Sequence, residues 1–147
     1  MIYLATDHRG FQLKEKIKEW LKEWGYQYED MGAFQYSKDD DYTEYAKLVA
    51  GKVSNSKNMG IVVCGSGVGV DVVANKFDGV RSGLALDYDQ IKLAREHDNI
   101  NVLALASEHM SEIDAKRVVE IFLKTPFSGK DRYERRLNQI EDIEKSN

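Results

Sequence analysis

One cysteine and one proline occur in 147 residues. The single thiol, Cys64, has no partner for an internal disulfide and cannot supply a CxxC pair or a thiolate zinc site, so a reducing compartment, the cytoplasm, is expected. Long hydrophobic runs are missing too. Ile61–Cys64 and Val102–Ala106 fall far short of the roughly 18 residues that span a bilayer. Met1 leads straight into a strand-like run, so neither a membrane span nor a signal peptide is expected. There is no basic excess: the formal net charge is −4, which leaves no field for gathering nucleic acid beyond a local basic cluster near the C-terminus. HExxH and EF-hand patterns are absent, and Asp39–Asp41 reads as a helix cap, so no metal is expected. What is present is a globular composition, 42% hydrophobic and 31% charged, which excludes disordered, collagenous and mucin-like chains. This length buries a core without disulfide or metal staples, as one domain spanning 1–147.

The apolar pattern alternates between two periods. Ile2–Thr6 reads as a strand, then Asp7-His8-Arg9-Gly10 as a polar turn. Phe11, Leu13, Ile17, Trp20, Leu21 and Trp24 form one face of a helix stopped by Gly25. Tyr26–Asp30 is extended, and a helix carrying Tyr45, Leu48, Val49 and Val53 follows a loop. Met59–Cys64 has the β-branched, continuously apolar character of a strand buried on both faces. Further on, helix is expected over Val70–Lys76, strand over Val80–Leu86, helix over Tyr88–His97 and strand over Val102–Leu105. Ser111–Lys124 is amphipathic, Pro126 and Gly129 break it, and Arg132–Glu144 is a charged terminal helix. Alternation at this spacing predicts right-handed crossovers and a three-layer α/β/α sandwich, a Rossmann-like parallel sheet of about five strands.

Ligands of such sheets gather at the carboxyl ends of the strands. The polar turns expected there are Thr6–Gly10, Cys64–Gly69, Asp87–Asp89 and the segment around His97–Asn101, which together hold two of the three histidines and the only cysteine. Gly65, Gly67 and Gly69 alternate between a strand and a helix, a spacing that suits either a tight turn or a backbone cradle for an anion. Val70 stands where GxGxxG would need its last glycine, and no Gly-Lys-Ser/Thr follows, so neither a dinucleotide fingerprint nor a P-loop is present. Cys64 precedes the glycines. A thiol at a helix N-terminus is suited to act as base or nucleophile, although a buried cysteine at a strand end is equally an inert filler. A cysteine phosphatase is excluded because Val70 occupies the position of its arginine. Arg132 and Arg136 lie one turn apart and present paired guanidinium groups that suit a phosphate or a solvated helix face. His109 is read as structural.

Taken in order, the motifs resemble the ribose-5-phosphate isomerase B family, which also contains the subunits of galactose-6-phosphate isomerase. The resemblance rests on Asp7-His8-x-Gly10-Phe11, Asp41-Tyr42, Cys64-Gly65-Ser66-Gly67-Val68-Gly69, Ala74-Asn75-Lys76, Gly79-Val80-Arg81, His97, Asn101-Val102-Leu103 and the paired arginines, and covers nearly the whole chain. It implies aldose–ketose isomerisation of a sugar phosphate through an enediolate, with no cofactor, most directly ribose 5-phosphate to ribulose 5-phosphate. It further implies Cys64 as the proton-shuttling base, Ser66 with Gly65, Gly67, Val68 and Gly69 as the anion hole, and His97 in ring opening. Asp7, Tyr42, Asn75 and Asp98 would face the sugar, and His8, Arg132 and Arg136 the phosphate. In the family the arginines reach a neighbouring subunit's site, so a homodimer or homotetramer is implied, with the helix at about 130–145 on the partner. A branch that uses Glu in the loop would place it at Val70, so the cysteine-type mechanism applies. Two positions depart from the pattern. Asp98 stands where Asn is usual, and Ala106-Ser107-Glu108 replaces Gly-x-Arg, which sets a carboxylate at a phosphate position. That departure implies a preference shifted toward another sugar phosphate, such as a hexose 6-phosphate, or toward a free sugar, with Arg9 as compensating charge. A non-catalytic sugar or nucleotide sensor on the same fold is the alternative from another class.

Overall fold

A computed structural model describes residues 1–147. Five strands, β1 (Ile2–Thr6), β2 (Tyr28–Asp30), β3 (Met59–Cys64), β4 (Ser82–Leu84) and β5 (Val102–Ala106), pair in parallel in the order β2-β1-β3-β5-β4. Six helices connect or follow them: α1 (Phe11–Glu23), α2 (Tyr42–Val53), α3 (Val68–Ala74), α4 (Tyr88–Asp98), α5 (Glu112–Lys124) and α6 (Asp131–Ser146). The expected three-layer sandwich is therefore the one the chain adopts. β4 is shorter than Val80–Leu86, because Arg81 ends the ladder by accepting from Asn101 N at its carbonyl while its own N–H goes to Asn101 Oδ1.

Alternation along the central strands sends side chains to two cores. Ile61, Val63, Leu103 and Leu105 face α1, α4 and α5, where Ile17, Leu21, Ile91, Val118 and Phe122 are fully buried. Val62, Cys64, Val102 and Ala104 face α2 and α3, against Val49, Val53, Val70 and Ala74. Each such aliphatic side chain contributes about 1.5–3 kcal/mol by leaving water. Lys14 is buried within the apolar stripe of α1, where its ammonium donates to both oxygens of Asp30 at 2.7 and 2.8 Å and to the Ala33 carbonyl at 2.5 Å. That triad ties α1 to the end of β2 and to the loop beyond it. No helix is long and apolar enough to cross a membrane.

The direction of the elements settles which turns share an edge. Turns that follow a strand lie at the carboxyl edge; turns that follow a helix lie at the amino edge. β1 changes neighbours between β2 and β3, which puts the topological switch point, the usual ligand crevice, beside the ends of β1 and β3. The expectation that His97–Asn101 joins that edge is corrected here. α4 runs antiparallel to the strands, and Asn101 and Arg81 meet just before β5 and β4 begin, with Arg81 Nε donating to the carbonyls of Asp98 and Asn99.

Candidate active site

Asp7 and the residues after β1 form the first wall. Asp7 caps a short 3₁₀ turn, His8–Gly10, its Oδ1 accepting from the N–H groups of Arg9 at 3.0 Å and Gly10 at 3.3 Å. Burial pushes its carboxyl above the ordinary range, against the pull of those two N–H groups and of His8. His8 is held by Asp40, whose Oδ1 accepts from its backbone N at 3.0 Å and lies 2.6 Å from Nδ1. The acidic run therefore does something other than what its sequence suggests: Asp41 stands at the N-cap of α2 without a side-chain cap bond, and Asp40 turns to His8. Asp7, His8 and Asp40 offer three ligand atoms within 4.8 Å of one another, but the Nδ1 to Oδ1 separation is a hydrogen bond and Asp7 Oδ1 is already engaged.

The second wall is the loop after β3. Cys64 is buried at the strand end, and Gly67 N–H donates to its Sγ at 3.2 Å. That inward N–H requires Gly67 to take φ +72°, where a Cβ would stand 2.5 Å from Leu84 Cδ1 and 3.0 Å from the Ala106 backbone nitrogen. Ser66 is exposed and accepts from Val68 N at 3.3 Å, and Val68 and Gly69 open α3. Tyr42, the first residue of α2, lies flat enough against Gly69 that a Cβ there would meet its ring at 2.6 Å. Cys64, Ser66, the loop glycines, Val68, Tyr42, Asp7 and His8 are thus gathered at one edge of one chain.

Glu108 reaches the same edge from the end of β5. Arg9 Nη1 donates to both of its carboxylate oxygens at 3.1 and 3.2 Å, against the backbone of Gly65. The carboxylate at this position is paired, and Arg9 is the cation nearest to it. His8, Arg9, Gln12, Tyr36 and Glu108 line an open cleft of about 680 Å³.

The remaining candidates stand elsewhere. β3 is six residues long, so the amino edge lies about 17 Å from Cys64 at the usual strand rise. There His97 stacks on Tyr133 with ring centroids 4.3 Å apart, and the guanidinium groups of Arg132 and Arg136 lie 5.4 and 5.9 Å from the same ring. Asp98 is exposed beside them. Tyr133 was not foreseen as part of this group, although its place between Arg132 and Arg136 in a terminal amphipathic helix is the signal. Asn75 does not face Cys64. Its amide donates to the carbonyls of Asp71 and Ser82, both at 3.1 Å, and accepts from Ser82 N at 2.8 Å, which fastens α3 to β4. One chain therefore carries two groups of candidate residues at opposite edges, one with the thiol and glycine loop, the other with an imidazole and two guanidinium groups.

A parallel α/β sheet with a buried thiol and a glycine-rich loop at its switch point is the architecture of a small-ligand α/β enzyme domain. The chain belongs to the Ribose/Galactose Isomerase family, whose sequence model matches residues 2–140. It is 41% identical over 146 residues to the probable ribose-5-phosphate isomerase B of Mycoplasma genitalium, covering 98% of this chain and 95% of that protein. It is 36% identical to the ribose-5-phosphate isomerase B of Mycolicibacterium paratuberculosis, covering 99% and 92%. Its fold matches the crystal structure of the M. genitalium enzyme with bound ribulose-5-phosphate at a TM-score of 0.96, with 40% identity and coverage of 99% and 97%. The ribose-5-phosphate isomerase B of Clostridium thermocellum matches at 0.94, with 34% identity, 99% of this chain and 97% of that one.

Proposed function

We propose that the chain is a cytoplasmic aldose–ketose isomerase that interconverts ribose 5-phosphate and ribulose 5-phosphate, working as a homodimer or a pair of dimers. The observation that carries the substrate is the similarity, at a TM-score of 0.96, to an enzyme holding ribulose-5-phosphate. The chemistry agrees with it. Moving a proton between C1 and C2 needs a base and donors for the developing oxyanion. Cys64 is the base, and the N–H groups of the loop from Gly65 to Gly69, with Ser66, are the donors. Asp7 and Tyr42 orient the sugar, and His8 with Arg9 takes the phosphate end. The reaction is redox-neutral within one substrate and needs no cofactor.

Assembly follows from the two half-sites. His97, Asp98, Arg132 and Arg136 act on the sugar bound at Cys64 only if they come from a second copy, because their own chain holds them about a strand length away. Val68 and Val72 on α3 and Leu86 after β4 are exposed apolar side chains that a partner's α6 could cover. Twofold assembly makes both sites complete at once.

The test is turnover of ribose 5-phosphate, hexose 6-phosphates and free ribose by wild type and Cys64→Ala. Wild type favours ribose 5-phosphate, and the variant loses a factor of about 10²–10⁴ in kcat, the range for removing a positioned acid–base group, while still binding ribulose 5-phosphate. A wild type inactive on ribose 5-phosphate, or a variant that keeps its rate, refutes the assignment.

A further inference from the structure

Of the sixteen residues of α6 only Tyr133 is buried, where it stacks on His97. Eleven residues further along, Glu144 makes the other tie to the body of the chain: its Oε2 accepts from the Gly79 N–H at 2.9 Å. Tyr133, Leu137, Ile140 and Glu144 recur at the spacing of one helix face, and the two anchors stand about 16 Å apart at the usual helical rise. Between them Leu137 and Ile140 line a cavity of about 140 Å³ with Asn55 and Arg81, so little packing fixes the middle of the helix. Glu141 is spent on Lys145 of the same helix, at 3.1 Å. The far anchor belongs to the frame that holds the near one. Gly79 takes φ +75°, which presents its N–H to α6, and a Cβ there would stand 3.1 Å from the Asn55 nitrogen. Its carbonyl accepts from Asn101 Nδ2 at 2.8 Å, Asn101 Oδ1 accepts from Arg81 N at 2.7 Å, and Arg81 Nε donates to the carbonyls of Asp98 and Asn99 at the end of α4 that carries His97. Burial pushes the Arg81 guanidinium down while the charge of Glu144 opposes it, so the carboxylate also lies within the field of this frame.

Arg132 and Arg136 lie on the flank of the anchored face, about 100° and 60° round the helix from Tyr133. Their direction is set by the tilt and rotation of α6. A single stacked ring is a pivot about which the helix rocks; a second point eleven residues away removes that freedom. We infer that Glu144 is a positioning residue for Arg132 and Arg136: its hydrogen bond to the Gly79 N–H fixes the set of α6, so that both guanidinium groups are presented together to one phosphate. The inference rests on the reading that these arginines serve a sugar phosphate in a second copy's site, but the state of the Gly79 N–H and the affinity for a simple anion stand apart from turnover. Glu144 touches no substrate. It stands eight residues, about 12 Å, beyond Arg136, further than the screening length at physiological salt, so its own charge does not oppose the anion.

The experiment combines amide hydrogen exchange read by NMR, a titration with inorganic phosphate, and steady-state kinetics on the full chain. In wild type the Gly79 amide is protected from exchange. In Glu144→Ala that protection is lost, and phosphate affinity falls roughly tenfold, the factor carried by one charge-assisted hydrogen bond to the anion. KM for ribose 5-phosphate rises by the same factor with kcat little changed, as expected when uniform binding is removed, and kcat/KM for free ribose, which has no phosphate to present, stays where it was. Glu144→Gln, whose amide oxygen still accepts from the Gly79 N–H, retains the protection and most of the affinity. A wild-type Gly79 amide that exchanges as freely as an exposed loop amide overturns the inference whether or not the alanine variant folds. So does equal phosphate affinity in wild type and Glu144→Ala, or a loss shared by ribose and ribose 5-phosphate, which would mark Glu144 as merely structural. If wild type turns over no sugar but shows the protected amide and the phosphate response, the isomerase reading fails and the role of Glu144 stands.

Discussion

Replacing Asp30 with Asn leaves the Lys14 ammonium buried with a neutral amide and the Ala33 carbonyl in place of a bidentate carboxylate, its remaining anion being the more distant Glu15 at 3.7 Å. Lys14 is wholly inaccessible, and its two contacts with Asp30 are 2.7 and 2.8 Å. Breaking one side of a buried pair costs about 3–5 kcal/mol, because the remaining charge keeps its desolvation penalty and loses its partner. Removing both charges in Lys14→Met/Asp30→Asn recovers most of that loss, since an apolar side chain of similar length suits the surrounding stripe of α1. With a urea m-value of about 2 kcal/mol per M, the single variant's midpoint drops by about 1.5–2.5 M. Burial pushes the Asp30 carboxyl up, but the Lys14 ammonium, the Gly32 N–H and Lys18 outweigh it and hold the group below its ordinary value. A depressed carboxyl contributes stability that is present above about pH 4, its unfolded range, and that is lost as pH falls through the lower folded value. Urea melts at pH 7 and pH 3 should therefore show a large gap between wild type and Asp30→Asn that narrows in acid. A midpoint shift below about 0.5 M for Asp30→Asn at pH 7 would refute the reasoning, because it would mean that the buried ammonium tolerates a neutral partner.

Two further substitutions probe the cysteine edge. Gly67→Ala forces an alanine into the left-handed region at about 1–2 kcal/mol and sets its Cβ against Leu84 and the Ala106 backbone, so both the urea midpoint and kcat should fall; an unchanged kcat would separate the Gly67 N–H from the chemistry at Cys64. Glu108→Arg replaces the exposed partner of Arg9 with a second cation. Such a pair is worth under about 1 kcal/mol to stability, so the urea midpoint should hardly move, whereas kcat/KM for ribose 5-phosphate relative to free ribose should rise severalfold. An unmoved ratio would place Glu108 outside the field of the phosphate.

The layered fold was legible because its causes are local. The β-branched run Met59–Cys64, the glycines that end it and the 3.6 periodicity of α1 and α5 each fix an element without reference to distant residues. The cysteine edge was legible for the same reason, since its residues directly follow strands. His97 was assigned to the wrong edge although the information was there: it follows a helix, and a helix in a parallel α/β unit returns the chain to the amino edge. Asn75 belongs to a motif that resembles a binding segment, yet its amide is occupied by the β4 backbone, a contact that only the placement of β4 beside α3 creates. The pairs of Lys14 with Asp30 and of His8 with Asp40 join residues 16 and 32 positions apart, and no spacing rule predicts either. Lys14 did leave a trace, as a cation standing within the apolar face that Phe11 and Ile17 define.

The division of the site between two copies is tested most directly by complementation. Cys64→Ala lacks the thiol half, and a His97→Asn/Arg132→Ala chain lacks the other half, so each alone should be nearly inactive towards ribose 5-phosphate. Co-expressed with different tags, they should assemble into mixed dimers in which one of the two sites is intact, and statistical mixing then restores about a quarter of wild-type turnover in the total pool. A mixture no more active than its parents would contradict the account, because it would mean that His97 and Arg132 serve the Cys64 of their own chain.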